Sequence, residues 1–156
     1  MKNELKLTHE KTAFTRVRLF YCIAGFVTLF GGIAVYAFFR NHDMVLFRFV
    51  PKPAFLDALF IPVKNGATAG SALLFNLPDG LWFFSGALFI RALWLTSAKW
   101  RAIYFGIFAV FALALEIGQL SATAPGTFDW LDLLFMGIGA FVESLIFNLF
   151  IKRRVV

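Results

Sequence analysis

The sequence predicts an all-α, polytopic integral membrane protein: a bundle of four transmembrane helices with one long interfacial outer loop. Three observations carry this. The 156 residues are 60% hydrophobic and only 15% charged, with 22 Phe, whereas soluble domains hold about 25% charged residues. Mean hydropathy is +0.79. Four apolar runs stand out, and about 20 such residues cross the ~30 Å of hydrocarbon.

The first run is Leu19–Phe39, without a charge. It follows a basic segment, as a cleaved signal would, but exceeds the usual apolar length of a signal, and no small-x-small site follows Tyr36. It is read as a retained span. The second run, 80–96, is shorter and interrupted by Arg91. The third, 100–120, carries Glu116 near its end. The fourth, 131–151, holds Asp132, Glu143 and Asn148. Non-helical backbone cannot face lipid, so all four are helices. None alternates polar and apolar residues as the strands of a membrane barrel do.

The segment 41–79 forms the outer loop. Met44–Val50 and Ala54–Val63 are apolar, Ala67–Leu77 is rich in Ala and Gly, and Pro51, Pro53, Pro62 and Pro78 break the segment up. Short helices in the outer interface and a plug over the bundle are equally compatible with this pattern.

Lys and Arg near span ends set orientation. Lys2, Lys6, Lys11, Arg16, Arg18, Lys99, Arg101, Lys152, Arg153 and Arg154 share one side, against Arg40, Arg48, Lys52 and Lys64 on the other. The expected location is the cytoplasmic (inner) membrane, multi-pass, with both termini cytoplasmic. The net charge of +6 then reflects topology and contact with membrane lipids. No basic helix or aromatic platform for nucleic acid is visible.

Cys22 is alone in a span and His9 and His42 fall on opposite sides, so no metal site is expected. No P-loop, GxGxxG or GxSxG motif occurs, and no cofactor is expected. Ala102, Gly106, Ala109 and Ala112 in span three, Gly137, Gly139 and Ala140 in span four, and Gly25 and Gly32 in span one are small residues that let helices approach. Trp82, Trp94, Trp100 and Trp130 read as interface anchors.

The acids carry the functional signal, since charges in spans are costly and face the bundle interior. Glu116 and Gln119 are i and i+3 at the outer end of span three, and Asp129 and Asp132 repeat that spacing where span four opens. The short linker makes spans three and four antiparallel neighbours, so these side chains converge, with Asp79 opening span two at the same end. Asp79 and Asp129 also suit plain N-caps; for Glu116 and Asp132, further inside, capping explains less. Arg91 lies ~18 Å past Asp79 and Glu143 ~16 Å past Asp132. Their depths match, which predicts an intramembrane ion pair; the competing reading is an Arg91 that snorkels to the cytoplasmic surface. Glu143 continues the stripe Asp132, Met136, Gly139.

Glu116-x-x-Gln119, then Pro125-Gly126-Thr127-Phe128-Asp129-x-x-Asp132 and Gly139, resembles the signature of VanZ-like membrane proteins over about Leu115–Ala140. Asp79-x-x-Trp82 sits where that family often has Asp-x-x-His. The family's turn Arg is absent, its Asn falls on Met136 and its His on Trp82, so the acidic half of the motif is kept and the basic or amide half is not. The resemblance implies an envelope role, and one family member is associated with resistance to the glycopeptide teicoplanin.

Two functions are expected from these residues. One is an acidic outer-leaflet pocket of Asp79, Glu116, Gln119, Asp129 and Asp132 that binds or modifies an envelope lipid, glycolipid or lipoglycopeptide. The other is a non-catalytic partner subunit that docks to a larger membrane complex. Paired carboxylates can do acid/base work, but no nucleophile–base pair is evident, and the sequence leaves catalysis open.

Overall fold

The computed structural model describes residues 2–39, 69–121, 123 and 128–151, with the backbone alone at 2–11, 13, 69–72, 150 and 151. Everything described is helix or the turns between helices. The order is α1 (Lys2–Phe39), α2 (Ala69–Leu93), α3 (Ala98–Leu120) and α4 (Trp130–Ile146), which runs on into a π-helical turn, Phe147–Ile151. Four stretches are long and apolar enough to cross a membrane: Phe14–Phe39, Leu73–Leu93, Ala98–Leu120 and Trp130–Leu149. The chain is a multi-pass membrane protein. The expected outer loop lies outside the described residues as far as residue 68, as do Lys152, Arg153 and Arg154.

In α1 the face Tyr21, Gly25, Gly32 is buried while Leu19, Phe20, Ile23, Phe26, Val27 and Phe30 are exposed toward the hydrocarbon. The buried positions recur at one helical stripe. Thr28 ties its hydroxyl back to the carbonyl of Ala24 at 2.9 Å, so that hydroxyl is satisfied within the helix.

The second span departs from the sequence expectation. It was expected to begin at Gly80, with an N-cap as one of two readings of Asp79; instead α2 starts at Ala69 and runs through Pro78. Asp79 is therefore an interior helical residue and not an N-cap. A proline removes one helical donor, but lipid gives the backbone no alternative partner outside a helix, and packed neighbours make the loss tolerable. Trp82 moves with this shift. It does not anchor a span end; its ring packs on Phe108 at a centroid distance of 5.2 Å.

α2 is the centre of the bundle. It packs along α1 and α4 and more lightly on α3, while α3 and α4 share no comparable backbone interface. The expectation that spans three and four lie directly side by side is thus corrected: their side chains meet around α2. Phe83, Ala112 and Met136 form one buried cluster joining α2, α3 and α4. Tyr21, Leu88, Ala92, Leu95 and Phe147 form a second, joining α1, α2 and α4. Close approach explains the geometry. A Cβ on Gly139 would meet the Gly80 carbonyl oxygen at 2.9 Å, and one on Gly80 would meet the Phe135 carbonyl oxygen at 3.0 Å. Only glycine at both positions lets α2 and α4 lie this near. Gly25 and Gly32 serve α1 against Phe89 and Leu81, whereas Gly106 and Gly137 have nothing within reach of an added Cβ.

The turn between α2 and α3 is short because Ser97 caps α3, its side chain accepting from the Trp100 amide. Trp94 stacks on Tyr104 at 5.1 Å and lies against Trp100 at 5.8 Å. These amphipathic rings sit together at one end of the bundle, with Arg18, Lys99 and Arg101. Arg18 belongs to the same end because it reaches the Leu93 carbonyl at 3.5 Å. This is the basic end; Asp79, Glu116, Asp129 and Asp132 mark the acidic end.

Candidate functional site

At the acidic end three helices each contribute a carboxyl group. Asp132 on α4 is 4% exposed and Glu116 on α3 is 4% exposed. Asp79 on α2 shares a side-chain hydrogen bond with Asp132; Glu116 lies within electrostatic reach of both, and Asp129 within reach of Asp132 and Glu116. The Gly80–Gly139 contact is what makes this possible: it sits one residue from Asp79 and two helical turns from Asp132. A carboxylate only accepts hydrogen bonds, so a bond between two carboxyl groups holds one proton between them.

Gln119 is half-buried and donates from Nε2 to Glu116 Oε1 at 3.4 Å. That long contact reaches one oxygen of Glu116 alone; among the described residues, Glu116 Oε2 and Asp132 Oδ1 are both buried without a hydrogen-bond partner. Such orphaned acceptors cost about 1–3 kcal/mol each. Asp129 is exposed and caps α4, its side chain accepting from the Leu131 amide at 3.0 Å. It thus fills the capping role that was one of its two readings, and stands at the mouth of the cluster. Among the described residues no group of three or more His, Cys, Asp or Glu is arranged to hold a metal ion.

The other two intramembrane charges meet. Arg91 donates from Nε to Glu143 Oε1 at 2.6 Å and from Nη2 to Glu143 Oε2 at 2.7 Å. This is the bidentate fork that guanidinium and carboxylate form by planarity alone. Arg91 is 7% and Glu143 3% exposed, so Arg91 does not snorkel. Its guanidinium also lies over the Phe147 ring, 4.0 Å from the centroid. The stripe Asp132, Met136, Gly139, Glu143 is the buried face of α4, so one helix face links the acidic cluster to the ion pair.

Several polar residues here escape sequence reasoning. Tyr21 is fully buried with a hydroxyl that has no partner among the described residues; in the sequence it is one aromatic among many in an apolar run. Asn76 is 3% exposed and stands one helical turn before Asp79. The signal was present as Asn76-x-x-Asp79, but it is legible only once the helix is known to continue through Pro78. Arg101 looks like one more topological base, yet its guanidinium lies over Phe147 at 5.3 Å.

Compared with known protein families, characterised proteins and solved structures, the chain has no match in any of the three.

Proposed function

We propose that the chain is a bacterial-type inner-membrane protein with cytoplasmic termini, whose acidic end faces outward and binds the hydrogen-bond-donating part of an envelope lipid, glycolipid or lipoglycopeptide. The observation that carries the reading is the pair of buried acceptors without partners among the described residues, Glu116 Oε2 and Asp132 Oδ1, beside Asp79. A site made of acceptors calls for a ligand made of donors. A primary ammonium brings three donors and a charge of the opposite sign, and sugar hydroxyls bring donors alone. Exposed Asp129 and half-buried Gln119 and Asp79 lead from the surface to the buried atoms. The resemblance to VanZ-like proteins supports the same location and ligand class. Met136, where that family has Asn, is 7% exposed in the apolar cluster, and Trp82, where it has His, packs there too. The reading is therefore one of binding through carboxyl groups, without the amide or imidazole.

The test uses purified protein in detergent, with phosphatidylethanolamine and teicoplanin as amine-bearing probes and phosphatidylcholine as the quaternary control. The wild type binds an amine-bearing probe, and Glu116→Gln weakens that binding at least about tenfold, the 1.4 kcal/mol expected of one charge-assisted hydrogen bond, with membrane yield unchanged. Equal binding by wild type and Glu116→Gln, or no preference over phosphatidylcholine, sinks the proposal.

A second reading has its own support. The α3 face bearing Gly106 has no neighbour within reach of an added Cβ, and most of α3 is exposed. That favours a non-catalytic subunit that docks to a larger membrane complex, and a stable co-purifying partner would select it.

A further inference from the structure

The basic end holds a second site, separate from the acidic cluster. Two adjoining open-sided cavities lie between α2, the first turns of α3 and the end of α4, of about 200 Å³ and about 500 Å³. Arg91, Ala98 and Arg101 line both. They exist because α3 is packed at its far half, through Ala112 and Glu116, but stands away from its neighbours at Ala102 and Gly106.

The electrostatics of the cavity walls are one-sided. Glu143 is the lone acid on them, and both its oxygens are taken by Nε and Nη2 of Arg91. Arg91 Nη1 stays outside that pair. Arg101 has no carboxylate partner among the described residues; its Nη1 lies 3.4 Å from the carbonyl oxygens of Trp94 and Leu95. The wall therefore carries one net positive charge. It is half-buried rather than projecting into water, so it is screened less than a surface base.

Three further features add donors. The N-terminus of α3, 23 residues long, opens onto the cavities through Ala98. Ser97 takes the Trp100 amide, which leaves the first-turn amides of Ala98 and Lys99 without intrahelical partners. Thr96 and Asn148 line the larger cavity. The buried Tyr21 hydroxyl, which has no partner among the described residues, is within electrostatic reach of Arg91 and Arg101. The floor of the larger cavity is the Phe147 ring, under both guanidiniums, at the start of the π-helical turn that follows α4. Such turns are frequent at functional sites.

We infer that this cavity binds a phosphate group, with Arg101 as the main ligand, Arg91 held in place by Glu143 as the second, and the α3 N-terminus completing the cradle. Guanidinium groups bind phosphate through paired N–H donors, and helix N-termini offer it free amides and a favourable dipole. The phosphate reaches the site either as the headgroup of an anionic membrane lipid or as a free phosphate ion. The cavity lies at the level of the Trp94–Trp100–Tyr104 ring cluster, where lipid headgroups sit, and it is open on one side.

Native mass spectrometry of the full chain, released from detergent with phosphatidylglycerol, phosphatidylcholine or inorganic phosphate added, tests this. The wild type retains one phosphatidylglycerol in preference to phosphatidylcholine, and Arg101→Gln reduces that retention at least fivefold while Arg16→Gln leaves it unchanged. Inorganic phosphate that displaces the lipid, or is retained alone and lost in Arg101→Gln, identifies free phosphate as the ligand; failure to compete identifies the lipid. Ala98→Asp serves as the second variant, since an acid in the first turn suits the helix yet puts a negative charge on the wall of both cavities. It abolishes retention with folding intact. Equal retention by wild type, Arg101→Gln and Ala98→Asp, or equal retention of phosphatidylglycerol and phosphatidylcholine without phosphate binding, overturns the inference.

Discussion

Breaking the Arg91–Glu143 pair from one side destabilises the protein far more than removing it altogether. Both groups are more than nine-tenths buried and both guanidinium–carboxylate bonds are short. Arg91→Met strands a carboxylate, and Glu143→Gln strands a guanidinium opposite an amide that offers one acceptor where two are needed. Loss of one partner of a buried pair costs about 3–5 kcal/mol, mostly from the uncompensated charge left behind, whereas apolar replacement of both is often near neutral. Arg91→Met also loses the Phe147 ring contact, worth about 0.5–2 kcal/mol. Taking about 3 kcal/mol for each single variant, additivity requires about 6 kcal/mol for the double variant; the buried geometry requires about 1–3 kcal/mol, a coupling of 3 kcal/mol or more. Equilibrium unfolding of the four proteins in mixed micelles, titrated with a denaturing detergent, measures it. A double variant whose loss equals the sum of the singles within about 0.5 kcal/mol refutes the reasoning.

Other perturbations have equally definite outcomes. Asp129→Ala removes the α4 cap and lowers stability by about 0.5–2 kcal/mol, while Asp129→Asn keeps it; unfolding curves that do not separate the two exclude the cap. Gly139→Leu drives a side chain into the Gly80 carbonyl, prises α4 from α2 and costs at least about 1–3 kcal/mol, read as lower melting temperature together with lost amine-probe binding at the acidic end. In a Cys22→Ala background, cysteines introduced at Asn3 and Val155 label only from the cytoplasmic side and one at Asn65 only from outside; the reverse pattern refutes the proposed orientation.

The class of the fold is written plainly in the chain because lipid allows so few solutions. Four apolar runs, each long enough, become four helices. The ends of those helices were harder to read. Pro78 and Asp79 look like a break and a cap, and in water they would be; inside a membrane the backbone has nowhere else to bond, so α2 continues eleven residues earlier, from Ala69. The same bias hid Asn76 and misplaced Trp82. Neighbour relations were legible only where a charge demanded a partner. Arg91 and Glu143 are paired by depth alone, and Glu116 and Asp132 do come into one cluster. That α2, not a direct α3–α4 interface, brings them together depends on Gly80 meeting Gly139, a contact between two helices that no spacing within either one announces. The phosphate cradle was invisible for a similar reason: Arg101 is an ordinary flanking base until α3 is seen to lean away and leave it facing a cavity.

The pairing of charges across α2 and α4 also bears on how the protein is made. α2 is the least apolar of the four spans, and the two groups that make it so, Asp79 and Arg91, find Asp132 and Glu143 on α4. α3 is synthesised between them and supplies neither partner. A charged residue at mid-span costs about 2.5–3.5 kcal/mol on insertion, so α2, though apolar enough to span, carries that cost unrelieved until the last helix emerges. A chain stopped after α3 holds a second span whose arginine lacks its Glu143 partner. The contacts that hold the finished bundle together are thus ones that only the last helix can supply.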